Sequence, residues 1–541
     1  MEGKGEASMG LTQAAERAAL NYLDENPEEH IDKIMELVNK LVPDSVFPVQ
    51  RKAFTDVIAS RGNWYQLMMR VFRLNPQMRT KLLKALLVDG NLLAWPVQER
   101  AREKYQRNIP WAILLDPTSA CNLHCTGCWA AEYGHQQNLS LEDIDSIVTQ
   151  GKELGTHMYI YTGGEPLVRK HDLIKICERH PDCAFLCFTN ATLIDEDFCQ
   201  DMIRVGNFVP AISAEGNEHT TDARRGQGTY AKIERAMDLL RSHQLPFGIS
   251  CCWTRANADT VATEENIDWM IEKGALFCWY FHFMPVGRAA TAELIPTPEQ
   301  REKMYHFIRE MREKKPLFTL DFQNDGEYVG GCIAGGRRYL HINAAGDVEP
   351  CVFIHYSNAN IHDVSLLDAL SSPIFMKYHE GQPFNGNHLK PCPMLENPDT
   401  LPKMVAESGR ADVAALSSRS CAALYNLVAL ARNVQDSDAN YTRFACISKG
   451  LEIYPGADRT SLMVVTPNEP GSLYKVLARF YALDVNLLKL ESRPIPNSDF
   501  DFMFYFDIDC SVAAPEFPKL IASLDDVCEE YRYLGSYTEL V

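Results

Sequence analysis

No stretch of this 541-residue chain approaches the roughly 18–20 consecutive apolar residues of a membrane span, so no membrane-spanning helix is expected. A basic excess is missing too. Lys and Arg number 53 against 72 Asp and Glu, a net charge of −19. General nucleic-acid binding wants a basic face and is argued against; a few cations in a pocket remain compatible with an anionic substrate. The opening residues, Met1-Glu-Gly-Lys-Gly-Glu-Ala-Ser8, lack the apolar segment of a signal peptide, so export is not expected. With no export signal, 17 cysteines point to a reducing cytoplasm, with thiols free or on metal. Paired CxxC knuckles of a four-ligand zinc site are also missing. Several cysteines inside apolar runs, such as Cys187, Cys251 and Cys252, read as small core residues.

What the chain does have is Cys121-Asn-Leu-His-Cys125-Thr-Gly-Cys128, directly after the apolar run Ala112–Asp116. Three thiolates at CxxxCxxC spacing can hold three corners of a [4Fe–4S] cube. Most such clusters engage four cysteines, so a set of three leaves one iron open to a substrate or cofactor. On this loop the chain resembles the radical S-adenosylmethionine (radical SAM) superfamily. The resemblance implies that the open iron binds the amine and carboxylate of SAM. It also implies that electron transfer cleaves SAM to methionine and a 5′-deoxyadenosyl radical, with a flavodoxin or ferredoxin-like electron donor.

Around the loop, short β-rich runs alternate with helical patterns from about 110 to 290, which predicts βαβ units. Six strands are expected: Ala112–Asp116, Met158–Tyr161, Ala184–Phe188, Phe208–Ser213, Phe247–Cys252 and Phe277–Phe283. Ser140-Leu-Glu-Asp143 reads as a capping box. The family resemblance implies a partial (β/α)6 barrel, whose chemistry sits at the C-terminal strand ends. Polar residues fall there. Gly163-Gly-Glu-Pro166 follows the second strand; two glycines permit close backbone approach to a ligand, and Glu165 could face an ammonium group. Asn190 ends the third strand, Ser213 and Glu215 the fourth, and Asn257 follows the fifth. The resemblance implies that Gly163, Gly164 and Glu165 hold the SAM amine. Ser213 and Glu215 would meet the ribose, Arg225 the carboxylate, a bidentate task suited to guanidinium; Asn190 and Asn257 are further polar candidates.

Residues 1–105 read as helical, with Ile31, Ile34, Met35, Val38 and Leu41 at helical spacing, and are expected to form a scaffold or cap. The barrel is placed at 106–315. Residues 316–409 carry a second cysteine set, Cys332, Cys351 and Cys392, around Tyr339–Asn343 and the turn at Ala345-Gly-Asp347. This resembles the SPASM or twitch extensions of radical SAM enzymes and implies an auxiliary iron–sulfur cluster, here without an evident fourth ligand. An unmetallated β-hairpin with buried thiols is the alternative.

Near Glu407-Ser-Gly409 the character changes. Residues 410–457, ending in Tyr441-Thr442-Arg443-Phe444, resemble the end of the prephenate dehydratase catalytic domain, in which Thr442 would be catalytic. Residues 458–541 read as a βαββαβ ferredoxin-like α+β layout. Gly471-Ser472-Leu473-Tyr474 and Glu491-Ser492-Arg493-Pro494 resemble the two phenylalanine-binding motifs of that family's ACT domain. The resemblance implies L-phenylalanine as effector, at the interface of a homodimer formed through ACT domains. The expectation is thus a cytoplasmic α/β protein: a radical SAM enzyme with a phenylalanine-binding regulatory domain. The alternatives are a prephenate dehydratase, for which most of the catalytic domain is missing, and a non-catalytic phenylalanine sensor.

Overall fold

The computed structural model describes residues 22, 26–41, 48–286, 292–409, 456–495 and 502–538. The chain divides into two units, Met1–Val413 and Ala414–Val541. No helix among the described residues is long and apolar enough to cross a membrane.

The first unit is organised on one nine-stranded sheet. Its strands are β1 (Ala112–Leu115), β2 (Met158–Tyr161), β3 (Ala184–Thr189), β4 (Phe208–Ser213), β5 (Gly248–Trp253), β6 (Phe277–His282), β7 (Phe318–Asp321), β8 (Tyr339–Ile342) and β9 (Val348–Glu349). Their spatial order is β7-β6-β5-β4-β3-β2-β1-β8-β9. All neighbours are parallel except β8 and β9. The six expected strands are present. Two further parallel strands were not anticipated. β7 extends the sheet beyond β6, and β8 pairs with β1 in the register Ala112↔Tyr339, so the second cysteine segment continues the barrel sheet.

Period-2 alternation gives each strand two faces. The outward face is packed against helices: Ile113, Leu115, Tyr159, Tyr161, Phe185 and Cys187 are essentially inaccessible. One such helix, Leu141–Glu153, begins with the expected capping box, in which the Ser140 side chain accepts from Asp143 N–H and Asp143 accepts from Ser140 N–H. It buries Ile144, Ile147 and Val148. Gly151 lies on the same helix because a Cβ there would come within 2.2 Å of the Tyr159 hydroxyl. The inward face differs: Met158, Val209, Ser250, Trp279 and Leu320 are only half-buried.

The N-terminal helices, among them Pro27–Leu41, Pro48–Ser60, Asn63–Phe72 and Pro76–Leu83, sit at the N-terminal ends of the strands. Several of their polar ties reach residues just before a strand begins. Arg70 donates to the carbonyls of Ala275 (2.8 Å) and Pro316 (2.6 Å), Lys81 to Arg204, and Gln98 to Gly155. The expected cap is therefore a cap on the bottom of the barrel. Apolar residues at Leu82, Leu83, Leu86 and Leu87 continue past the helix into a π-helical turn, Lys84–Leu93.

The second unit has a four-stranded antiparallel sheet of β10 (Arg459–Val465), β11 (Asn486–Pro494), β12 (Phe502–Asp509) and β13 (Glu530–Tyr537) in the order β11-β12-β10-β13. Helices Ser472–Ala482 and Glu516–Leu524 connect β10 to β11 and β12 to β13, which is the expected ferredoxin-like βαββαβ layout. Leu462, Val464, Val476, Phe480, Phe506 and Leu520 form its core. Thr442 and Arg443 lie outside the described residues.

Candidate active site

β1 ends in Asp116 and hands the chain to the cysteine loop, which therefore emerges at the C-terminal edge of the sheet. Two glycines let this loop sit tightly on its neighbours. A Cβ on Gly164 would lie 2.2 Å from the Ala120 carbonyl oxygen, and one on Gly127 would strike the Phe283 ring at 2.4 Å. Gly164 N–H and Glu165 N–H donate to the carbonyls of Thr118 (3.0 Å) and Ala120 (2.8 Å). Gly164 thus brings its backbone against the cysteine loop, while a Cβ on Gly163 would strike the Asp116 side chain at 2.7 Å.

Cys121, Cys125 and Cys128 are half-buried and line one end of a cavity of about 1090 Å³ that occupies the barrel interior. Burial pushes the Cys121 thiol up to about 11 and also raises Cys128, on which Arg224 and Arg225 act in the opposite sense. The Arg225 Nη1 stands 3.9 Å from Cys125 Sγ. Among the described residues, the set of three metal-binding side chains whose ligand atoms all approach within 4.8 Å is His157, Asp182 and Cys183. The three loop thiols are spaced more widely than one zinc ion with bonds of about 2.3 Å would hold them. Their donor set fits an iron–sulfur cluster.

The predicted cofactor residues separate into two groups. Gly163, Gly164, Glu165, Asn190, Ser213 and Arg225 line the cavity beside the cysteines. Glu165 is buried, and its carboxylate already accepts from Leu167 N–H (3.0 Å), the Thr189 hydroxyl (2.7 Å) and Asn190 N–H (2.7 Å). Burial raises its pKa, and those hydrogen bonds hold it down. Glu215 and Asn257, by contrast, spend their polar atoms within the protein. Glu215 is fully buried and binds Arg225 through two bonds of 2.6 Å and Arg224 through one of 2.8 Å. It orients the arginines; no oxygen faces the cavity in the way a ribose contact requires. Asn257 accepts from Thr254 N–H at 2.6 Å and closes the turn after β5.

Two side chains missed by sequence reasoning belong to this end of the cavity. Arg224, adjacent to the predicted arginine, leaves its Nε without a partner, and buried His282 leaves Nε2 without one. His282 Nδ1 donates to the Phe283 carbonyl at 3.2 Å, and burial holds the imidazole neutral, near a pKa of about 3. Nε2 is then a bare acceptor. Unspent donors and an acceptor beside three thiols suit a polar cofactor. The adjacent Arg224-Arg225 pair was the sequence signal for the first; nothing in the apolar run Phe277–Phe283 marked the second.

A second network lies just behind the loop. His341 on β8 is inaccessible to solvent and bridges Asp116 (3.0 Å) and Glu349 (2.7 Å). The Tyr133 hydroxyl and Asn343 also donate to Glu349, at 2.8 and 3.1 Å. Trp129, next to Cys128, packs edge-on against the His341 ring.

Cys332, Cys351 and Cys392 come together electrostatically, each half-buried. Burial pushes Cys332 and Cys351 up to about 12. The Tyr339 hydroxyl is 2.9 Å from Cys351 Sγ. Their neighbours Ile333 and Val352 line the barrel cavity, so the two sites share a wall.

In the second unit, Gly471 caps helix Ser472–Ala482 with φ +88°, Ser472 is buried, and Leu473 packs on the core. Glu491, Ser492, Arg493 and Pro494 lie on the edge strand β11, where Glu491 pairs with Lys489 (2.8 Å) and Arg493. Among the described residues no hydrogen bond joins the two motifs.

Residues 115–269 match the Radical SAM superfamily and residues 387–451 match Prephenate dehydratase. The AdoMet-dependent heme synthase of Methanosarcina barkeri is 22% identical over 310 residues, covering 52% of this chain and 87% of that protein. The bifunctional chorismate mutase/prephenate dehydratase of Aquifex aeolicus is 38% identical over 123 residues, 23% of this chain; the chain spans only 34% of that protein's length. Among solved structures, Streptococcus suis SuiB bound to S-adenosylmethionine is similar at 16% identity and TM-score 0.45, over 54% of this chain and 74% of that one. With the loop and the two family matches, the chain carries a radical SAM domain followed by a prephenate dehydratase-type segment.

Proposed function

We propose that Cys121, Cys125 and Cys128 hold a [4Fe–4S] cluster at which SAM is reductively cleaved, and that the C-terminal unit is an ACT domain binding phenylalanine. The observation that carries the first part is the convergence of three thiols, two arginines and an unpartnered imidazole nitrogen on one end of the barrel cavity. When bound, cluster and SAM supply one-electron cleavage of a carbon–sulfur bond and the means to remove a hydrogen atom from unactivated carbon.

The residues of this chain do the rest. Gly164 and Gly127 fix the loop. Glu215 pins both guanidiniums, leaving Arg225 Nη1 on the cysteine side for an anionic group. Glu165 ties β2 to β3 and presents a buried carboxylate to a cationic one. The apolar walls exclude water. The heme synthase relative supports the cofactor chemistry.

Cys332, Cys351 and Cys392 are the proposed ligands of an auxiliary cluster. Glu491–Pro494 and Gly471–Leu473 are the proposed phenylalanine contacts, with a second copy of the chain completing the site and a flavodoxin or ferredoxin-like donor supplying electrons. The dehydratase reading loses ground because the matched segment is a fraction of such an enzyme.

Anaerobic reconstitution tests the reading. A reduced [4Fe–4S]+ resonance should shift on adding SAM, and 5′-deoxyadenosine should form. Replacing all three loop cysteines with alanine should remove both signals; 5′-deoxyadenosine from that variant would refute the assignment.

A further inference from the structure

Closed eight-stranded (β/α) barrels fill their interior with packed side-chain layers, whereas this sheet is open, with β7 and β9 at its edges. This barrel is hollow along its length. Its cavity begins at the cysteines and runs past Ile160, Leu186, Val209, Trp279 and Leu320. It reaches the first residues of the strands, Ala112, Met158, Phe277 and Phe318, and continues between the N-terminal helices, where Val57, Trp64, Leu67, Val71 and Leu83 complete the wall. About 1090 Å³ exceeds the roughly 300–1,000 Å³ of ordinary ligand pockets.

Polarity is distributed unevenly along this tunnel. Hydroxyl, carboxyl, amide and guanidinium groups cluster at the cysteine end. Between the ends the wall is apolar apart from Ser250 and the Trp279 indole N–H. An apolar lining left unfilled by its own side chains forgoes both packing and hydrophobic burial unless something apolar occupies it.

The far end is a mouth rather than a floor. Phe54 and Leu87 line the cavity and yet are 53% and 50% exposed, and Phe318 and Val329 do the same beside them. One cation stands in the lining at this end. Arg338, the residue before β8, stacks over Trp95 and forms no ion pair among the described residues.

We propose that the tunnel binds a lipid-like substrate, a single long hydrocarbon chain with an anionic head. The chain enters from the N-terminal mouth, leaves its head at Arg338 and presents unactivated C–H bonds at the cysteine end. This rests on the radical SAM reading, because saturated carbon beside the cysteines offers nothing to acid–base or nucleophilic chemistry and demands hydrogen-atom removal. A free fatty acid and a single-chain lysophospholipid share this chemistry.

The test uses the full anaerobic chain and reads binding apart from turnover. cis-Parinaric acid should bind saturably with enhanced fluorescence, and palmitate or a palmitoyl lysophosphatidylglycerol should displace it. The strongest competitor names the source. Val209→Trp, which narrows the middle of the tunnel, should reduce binding at least about tenfold. Arg338→Gln should weaken parinarate about fivefold and leave its methyl ester unaffected. Thermal melts of both variants check folding, and Phe54→Asp, at an exposed position, gives a mouth variant that cannot disturb the core. Absence of saturable binding by protein that still cleaves SAM would overturn the inference and spare the radical SAM reading. Binding unaltered by all three variants would overturn it as well. Specific binding by protein that never cleaves SAM would instead remove the reading on which the inference rests.

Discussion

Cys121, Cys125 and Cys128 come from one short loop and open onto the cavity, whereas Cys332, Cys351 and Cys392 come from three separate segments and are not part of its lining. Their surroundings differ in charge. Arg224 and Arg225 stand beside the first set and favour thiolates. The second set is pushed up by burial, with the Tyr339 hydroxyl against Cys351 and weaker help from Arg337 and Arg301. A site that must admit a cofactor needs an open side and fixed cations. A site that only carries charge can be wrapped. The difference bears on the proposed division into a catalytic and an auxiliary site, which cysteine spacing alone does not address.

The largest expected effect tests that separation. Alanine at Cys332, Cys351 and Cys392 together should remove about four irons per chain, one cube's worth. The SAM-dependent shift of the remaining [4Fe–4S]+ signal should persist. Iron analysis beside electron paramagnetic resonance reads both. Unchanged iron would leave the second set as buried thiols of a hairpin.

Much of the barrel was legible because strand and helix periodicities are local. The six strands, the Ser140 capping box and the helix before Pro43 follow from neighbouring residues alone. The pairing of β8 with β1 joins residues more than two hundred apart, and no local pattern marks it. The hollow interior was illegible for another reason. Alternating Phe277, Trp279 and Phe281 read the same whether they pack on each other or face a ligand. Glu215 and Asn257 show the limit for site residues: both types suit a ribose or an amide contact, and only the folded loops reveal that Arg224, Arg225 and Thr254 consume their oxygens.

His341 joins the two cysteine regions, since Asp116 leads into the first and Glu349 precedes Cys351. Its pKa stands at about 10 rather than 6.5. Burial opposes the charge, and the two carboxylates with their hydrogen bonds together outweigh burial. Because the folded pKa is raised, the stabilisation is complete below about pH 6.5 and is lost as pH climbs towards 10. His341→Gln leaves two buried carboxylates facing each other without a cation, and loss of one partner in such a set costs about 3–5 kcal/mol. Thermal melts should show a lower midpoint for the variant at pH 6. The decline between pH 6.5 and 10 should be steeper in the wild type. Parallel curves would show that His341 is neutral and that the network is held by hydrogen bonds alone.

The smallest effect concerns the second unit, where comparison runs between two kinds of glycine. Gly164 is required by crowding, since the Ala120 carbonyl occupies the space of its side chain. Gly471 has nothing within 4 Å of where a Cβ would stand, and its constraint is the φ of +88°. A side chain there meets backbone strain of about 1–2 kcal/mol and no clash within the chain. The proposed phenylalanine site changes that expectation, because ligand or a second copy would occupy the open space. Gly471→Ala should therefore lower the stability of the C-terminal unit by about 1–2 kcal/mol in denaturant melts. In calorimetry it should abolish phenylalanine binding, which strain of that size alone would not do. Binding that survives Gly471→Ala would place the ligand elsewhere on the sheet, beside Glu491 and Arg493 on the edge strand, and would leave the glycine as a helix cap only.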